Sequence, residues 1–505
     1  MAYEKPVVLA QSTVRMAECR PNTKPSGRPC NPDYGTFGYI TDNRNFGYKP
    51  VNNKEQDIGE KIVSKSGAVF LSSLGRSPRS IDALVKDLCP QFDNADPKMI
   101  WDDATAFFCT LESDGFIASG ETEDECNNND TGFSYQATSP VSNTTSCSPK
   151  ESIDSSTQTF FEEYYHRKPY LTNVHIEITS RCNERCVHCY IPHENKITDM
   201  RPDLFYSILD QCKKMNVLHM TLSGGEPMAH KSFLEFLRKC YEYNFSVNVL
   251  TNLTMLNPSI LNEFKRNRLL CVQTSLYSTN PVIHDAITMV KGSCQKTKEA
   301  ILTLIDNDIP LQISCPILKQ NKSCYQDVVS WGNAHNIAVN NDYVILARCD
   351  HTTQNLDNRL TIADVKDLIA EQAAGDPEYV LRIKEQAERN SHRSLDDPIC
   401  SVCYSSICVS EQGIAYPCAG WQDYALGDLS QISLANIWNR SEKVQYLRSL
   451  RRGDFSQCIQ CADKDYCTLC MVRNANEDPH GRPLVVNRFF CNVAAANREL
   501  AQSQQ

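Results

Sequence analysis

Cys182, Cys186 and Cys189 stand at C-x3-C-x2-C spacing within Arg181–Tyr190 (RCNERCVHCY). They directly follow Val174–Thr179 (VHIEIT), whose apolar alternation predicts a β-strand, so the thiols fall on the loop at its carboxyl end. Three thiolates on one short loop can hold three corners of a cubane iron–sulfur cluster and leave the fourth iron to something other than protein. Structural zinc is the other use of such thiols. It needs a fourth donor nearby, and His188 inside the loop is a candidate.

Composition sets the surroundings. A chain of 505 residues has room for about two to four domains, and 41% apolar with 22% charged residues allows a sizeable buried core. No apolar run approaches the roughly eighteen residues of a membrane span, and the opening MAYEKPVVLAQ lacks the apolar core of a signal peptide. A cytoplasmic protein is therefore expected. A net charge of −10 argues against a general nucleic-acid or anionic-membrane surface. The 25 cysteines are an odd number, and in a reducing compartment closely spaced thiols read as metal ligands rather than disulfides.

The cysteine loop, with Tyr190 beside its last thiol, resembles the signature of the radical S-adenosylmethionine (radical SAM) enzymes. Downstream, Thr221–Pro227 (TLSGGEP) is similar to that family's GGEP motif, in the right order and at the right separation. The resemblance implies a [4Fe–4S] cluster on Cys182, Cys186 and Cys189 whose open iron is chelated by SAM. An electron from the cluster then breaks a carbon–sulfur bond, and the 5′-deoxyadenosyl radical abstracts hydrogen from the substrate. It also implies SAM contacts from Gly224, Gly225, Glu226 and Pro227. Asn252 and Ser275, at later strand ends, match positions that touch SAM's carboxylate or ribose, although Asn and Ser there also serve as turn formers. Gln273–Cys294 is similar to a segment of radical SAM enzymes that modify ribosomal peptides. His284 and Asp285 within it are expected to begin a helix, the aspartate near the positive end.

From about residue 170 to 370, strand-like and helix-like segments alternate. Candidate strands are Val174–Thr179, His219–Ser223, Ser246–Thr251, Cys271–Leu276, Leu311–Cys315 and Tyr343–Ala347, with helices at Asp203–Met215 and Ser232–Tyr243. This predicts an α/β fold, a partial (β/α)6 barrel with ligands at the carboxyl ends of its strands. The core is expected over residues 161–390.

Residues 1–50 are rich in turn formers and are expected to be a flexible extension, with docking on the chain's own peptide groove as a sharper alternative. Residues 51–120 read as a module: Gly67–Leu74 as a strand or edge, a helix after Ser80, a second helix through Ile100–Leu111, and a short returning strand at Gly115–Ala118. Their order resembles the winged-helix PqqD-like peptide-recognition domain, which takes a leader peptide as an added strand. Asp82–Gln91 carries one lysine beside two aspartates, which favours peptide over DNA. Residues 121–160 are a polar linker.

Residues 391–505 are cysteine-rich. Cys400, Cys403 and Cys408 precede Gly413-x4-Cys418, and Cys458, Cys461, Cys467, Cys470 and Cys491 follow. That pattern resembles the SPASM domain, departing from it by x2 instead of x3 before Cys470. The resemblance implies two auxiliary [4Fe–4S] clusters, the distal one on Cys458, Cys461, Cys467 and Cys491. The nearer one would use Cys418 and Cys470 with two of Cys400, Cys403 and Cys408, the first two being the leading pair. A zinc ribbon on Cys458, Cys461, Cys467 and Cys470 is the alternative. Of the scattered cysteines, Cys294 and Cys349 lie near the inferred strand-end face.

Together these resemblances imply an enzyme that matures a ribosomally made precursor peptide, with an electron donor such as flavodoxin or ferredoxin. A thioether cross-link is the first expectation, beside carbon–carbon linkage, epimerisation and a protein (sulfatase-type) maturase. A metal-bound peptide-binding scaffold is the non-enzymatic alternative.

Overall fold

The computed structural model describes residues 6–8, 13–18, 36–41, 60–74, 77–92, 96–113, 116–129, 169–267, 269–376 and 378–503. Its largest feature is a nine-stranded sheet. Six parallel strands, β1 (Asn173–Thr179), β2 (His219–Gly224), β3 (Ser246–Leu250), β4 (Cys271–Ser275), β5 (Leu311–Pro316) and β6 (Ala338–Asp342), lie side by side in chain order. Helices link them, which makes this the expected partial (β/α)6 barrel. On the other side of β1, β7 (Ser406–Val409) pairs in parallel, and β8 (Ile414–Tyr416) and β9 (Gly427–Asp428) continue antiparallel. The barrel and the cysteine-rich C-terminal region thus share one sheet.

Each strand packs one face on the helices. Val174, Ile176 and Ile178 of β1 are fully buried in a core that also holds Phe205, Ile208 and Leu209 of helix Pro202–Lys214. Phe205 stacks on Phe236 of helix Phe233–Glu242 with ring centroids 3.9 Å apart. Phe205→Ala removes this pair and leaves a cavity; it is expected to destabilise the fold by about 3–5 kcal/mol, read from the denaturant midpoint of unfolding.

The sixth strand is not Tyr343–Ala347 but the segment before it, Ala338–Asp342. As the open edge of the barrel it pairs only with β5, and its burial is partial, so polar residues suffice there. The apolar run that imitates a strand instead packs off the sheet, burying Ile345 with Tyr277, Ile287 and Leu318.

The N-terminal module has its own core. Helices Lys65–Ser73, Ile81–Leu88 and Pro97–Ser113 enclose Leu71, Leu84, Leu88, Ala104, Phe108 and Leu111. Ser80 caps the second helix as expected, accepting from the Ala83 N–H. Gly67–Leu74, expected as a strand, is helical: Ser64 accepts from the Gly67 N–H as N-cap, and Ala68 and Leu71 bury one helical face. Strand Ala118–Ser119 pairs with Pro6–Val8, which also pairs with Arg79–Ser80. Thr13–Glu18, Thr36–Thr41 and Glu60–Val63 form a second small sheet, so parts of the expected flexible arm are strands. Helix Glu123–Asn129 opens the expected linker, whose remainder to residue 160 lies outside the described residues. Among the described residues no helix is long and apolar enough to cross a membrane.

The C-terminal region is seated on the barrel by polar ties at its margin. Arg359 and Glu477 form a mostly buried ion pair at 2.7 Å, and the Asn476 amide donates to the carbonyls of Ala347 and Gly420.

Candidate active site

The segment carrying the three thiols leaves β1 at its carboxyl end and is pinned on several sides. The N–H groups of Arg185 and Val187 donate to Thr288 and Ile287 carbonyls, each at 3.0 Å. Asn358 and Asn355 side chains donate to the carbonyls of Val187 and His188. The Cys349 N–H donates to the Tyr190 carbonyl at 3.1 Å, which is what this cysteine contributes near the loop. Cys294, by contrast, is buried, its thiol turned to the Ser278 carbonyl.

The GGEP turn is built against this segment. A Cβ on Gly224, where φ is +138°, would lie 1.9 Å from the Thr179 carbonyl oxygen; one on Gly225 would lie 2.3 Å from that of Arg181. The Gly225 and Glu226 N–H groups donate to those same two carbonyls, each at 2.8 Å. The glycines therefore let the chain approach its own cysteine loop, a use beyond the ligand approach expected of them. Glu226 is fully buried with three donors on its carboxylate, the N–H groups of Met228 and Asn252 and the Thr251 hydroxyl. Pro227 starts the short turn that follows. The Asn252 amide donates to the Asn183 side chain inside the cysteine loop. Ser275 ends β4, two residues before Tyr277, whose hydroxyl meets the His188 ring at 2.9 Å.

His284 and Asp285 lie inside helix Pro281–Thr288, which Asn280 caps. The positive end that Asp285 serves is that of the next helix, Ser293–Ile305: its carboxylate accepts from the N–H groups of Gly292 and Cys294 and from the Ser293 hydroxyl.

The C-terminal thiols fall into two neighbourhoods. Cys458, Cys461, Cys467 and Cys491 line one pocket. Cys400 lies within electrostatic reach of Cys418 and Cys470, and Cys403 within reach of Cys400. Cys403 is buried in the apolar core and its carbonyl accepts from the Arg448 guanidinium at 2.6 Å. Cys408 is buried beside Cys418 and Glu177. Among the described residues, no three His, Cys, Asp or Glu side chains are placed to hold a single metal ion. Cluster thiols bind different irons and need not converge on one point.

Residues 176–332 match the Radical SAM superfamily, and residues 400–463 match the SPASM iron–sulfur cluster-binding domain. The chain thus carries a radical SAM domain over residues 176–332 and a SPASM domain over residues 400–463. It is 24% identical over 317 residues to the antilisterial bacteriocin subtilosin biosynthesis protein AlbA of Bacillus subtilis, covering 61% of this chain and 68% of that one. It is 25% identical over 314 residues to the PqqA peptide cyclase of Rhodopseudomonas palustris, covering 57% and 79%. The fold is shared with Streptococcus suis SuiB bound to precursor peptide SuiA, at TM-score 0.54 and 15% identity over 94% of this chain and 98% of that one.

The cofactors of the radical SAM/SPASM architecture are SAM and [4Fe–4S] clusters. The loop's chemistry fits such a cluster. Burial pushes the Cys182 thiol up to about 11, and burial with Glu184 and the neighbouring thiols pushes Cys186 well above its ordinary value. Three thiolates can coexist here only against compensating positive charge, which cluster iron supplies. Glu184 is buried in the loop with one carboxyl oxygen unpartnered, and burial raises it to about 7.

One buried carboxyl of this radical SAM core was missing from the sequence-based candidates. Glu177 of β1 is 2% exposed; Tyr190 and Gln422 both donate to it, and burial raises it to about 8. Its signal was available: a single carboxylate in VHIEIT, an otherwise apolar strand.

Burial also holds His175 and His219, on strands β1 and β2, at about 4. A base whose folded pKa is depressed stabilises the fold fully above its unfolded value of 6.5, and that stability is lost as pH falls towards 4. The apo protein's thermal midpoint is therefore expected to fall between pH 6.5 and 4, with a shallower slope for His175→Gln.

Proposed function

We propose that this radical SAM/SPASM protein matures a ribosomally made precursor peptide, forming a thioether from a peptide cysteine sulfur to carbon. The observation that carries the reading is the shared sheet: β1 leads into the cysteine loop, its neighbour β7 carries Cys408, and β8, paired with β7, leads to Cys418. The barrel's cysteine loop and the Cys418 segment are thereby held by one sheet. Cys182, Cys186 and Cys189 hold the cluster that binds SAM, and its reduction supplies the 5′-deoxyadenosyl radical. Gly224–Pro227, Asn252 and Ser275 shape the SAM side of that loop. Cys458, Cys461, Cys467 and Cys491 hold a distal auxiliary cluster. Cys400, Cys418 and Cys470 hold a nearer one, with Cys403 as the fourth ligand or that corner left to a substrate thiolate.

The winged-helix module supplies peptide docking by strand addition. AlbA is a bacteriocin biosynthesis protein and the PqqA cyclase acts on a peptide, which supports a peptide substrate here. Flavodoxin or ferredoxin in the cytoplasm is the proposed electron source.

Thioether formation removes two hydrogens from the peptide: a hydrogen atom leaves carbon, the thiol gives up its proton, and one electron passes to the protein's auxiliary site. The test is the mass of the precursor peptide after anaerobic reaction in heavy water. A product lighter by two hydrogens, with one thiol no longer alkylatable, is expected. Loss of two hydrogens with all thiols alkylatable means a carbon–carbon link or dehydrogenation, and gain of one deuterium means epimerisation; either overturns the thioether.

A further inference from the structure

Glu177 is the point where three parts of the protein meet. It sits on the inner side of β1, between Ile176 and Ile178, which point into the helix-covered core. A carboxyl group this buried persists only when its oxygens are engaged. Here they are divided between two separate segments. Oε1 accepts from the Tyr190 hydroxyl at 3.0 Å, and Tyr190 directly follows Cys189. Oε2 accepts from the Gln422 amide at 2.5 Å, and Gln422 lies four residues after Cys418. Tyr190 is held at its other end as well, through the Cys349 N–H. Among the described residues, no other buried side chain in this part of the site links the cysteine loop and the Cys418 segment through hydrogen bonds.

We propose that Glu177 is a positioning residue that fixes the Cys189 end of the barrel loop relative to the Cys418 segment, through Tyr190 and Gln422. Such a tie sets the geometry in which hydrogen abstraction and removal of the leftover electron work on one substrate. Reactive groups need placing to within about 0.5 Å, and loosening the tie lets SAM cleavage run without product. The inference rests on the proposed reading that both segments hold clusters.

The two hydrogen-bonding ends can be exchanged. Glu177→Gln leaves one acceptor oxygen for two donors, the Tyr190 hydroxyl and the Gln422 amide, whereas Glu177→Gln with Gln422→Glu lets the new amide donate to the new carboxylate and keeps its oxygen for Tyr190. Hydrogen–deuterium exchange of the reconstituted holoenzyme is read over residues 186–190 and 418–424, beside iron content and 5′-deoxyadenosine released per modified peptide. The single variant is expected to keep its iron and to raise exchange in both segments by about tenfold, as for one lost buried hydrogen bond. It should also release more 5′-deoxyadenosine per product. The double variant should return both readouts to the wild-type values.

Unchanged exchange in the single variant overturns the proposal. So does a double variant that fails to recover, because Glu177 then acts through its own carboxyl chemistry. Tyr190→Phe, which removes one oxygen and keeps the ring, should loosen the same two segments and gives the test if Glu177→Gln does not fold. If the wild type releases no 5′-deoxyadenosine while exchange behaves as expected, the tie stands and the proposed reaction falls.

Discussion

Cys182→Ala is expected to abolish SAM cleavage and product formation while leaving peptide binding intact. The substitution removes one of three thiols on a loop that several backbone and side-chain bonds hold in place without it. The fold should therefore persist, and the effect should be confined to the cluster. A [4Fe–4S] site left with two thiols is not retained, so reconstituted protein should lose about four irons per chain against wild type. Peptide affinity, which the proposed function assigns to the N-terminal module, should change less than about twofold. Iron analysis, 5′-deoxyadenosine chromatography and a peptide-binding titration check the three parts separately. Loss of peptide binding together with iron would instead mean that the two functions share one site.

Gly225→Ala is expected to be nearly as severe for a different reason. Its new methyl would lie 2.3 Å from the Arg181 carbonyl oxygen and 2.5 Å from that of Ser180. Both neighbours are backbone, so neither can swing aside, and relief requires the GGEP turn and the cysteine loop to separate. That would break the Glu226 N–H bond to Arg181 and displace a buried carboxylate with three donors. A cost of about 3 kcal/mol or more is expected, with poor iron incorporation. Gly375→Ala is the control. It ends helix Ile362–Gly375 with nothing within 4 Å of its added Cβ, and should be neutral or stabilising by up to about 1 kcal/mol. Urea unfolding and iron content measured side by side distinguish the two variants.

Much of this site was legible in the sequence because its parts are local. The cysteine spacing, the strand before it and the GGEP turn each occupy a few consecutive residues, so periodicity and turn chemistry find them. Five of the six barrel strands announce themselves by apolar runs for the same reason. The sixth did not, because an edge strand with one neighbour carries no strong apolar alternation, and Tyr343–Ala347 beside it does. Gly67–Leu74 misled in the opposite direction: Val69, Phe70 and Leu71 resemble a strand core until Ser64 is seen as a helix cap.

What the sequence hides is long-range. The glycines' approach to Thr179 and Arg181 joins segments more than 40 residues apart, and Gln422 meets Glu177 across 245 residues. The same holds for thiol grouping. Chain order puts Cys403 beside Cys400, yet Cys400 is the one within reach of both Cys418 and Cys470, while Cys403 turns into the apolar core next to Arg448.

The most direct measurement is 5′-deoxyadenosine release by the anaerobically reconstituted wild-type chain, given SAM and a chemical reductant. The three-thiol loop as a SAM-cleaving centre predicts steady accumulation that depends on reductant and on iron. A fully iron-loaded, folded chain that binds SAM and releases no 5′-deoxyadenosine under these conditions would contradict it.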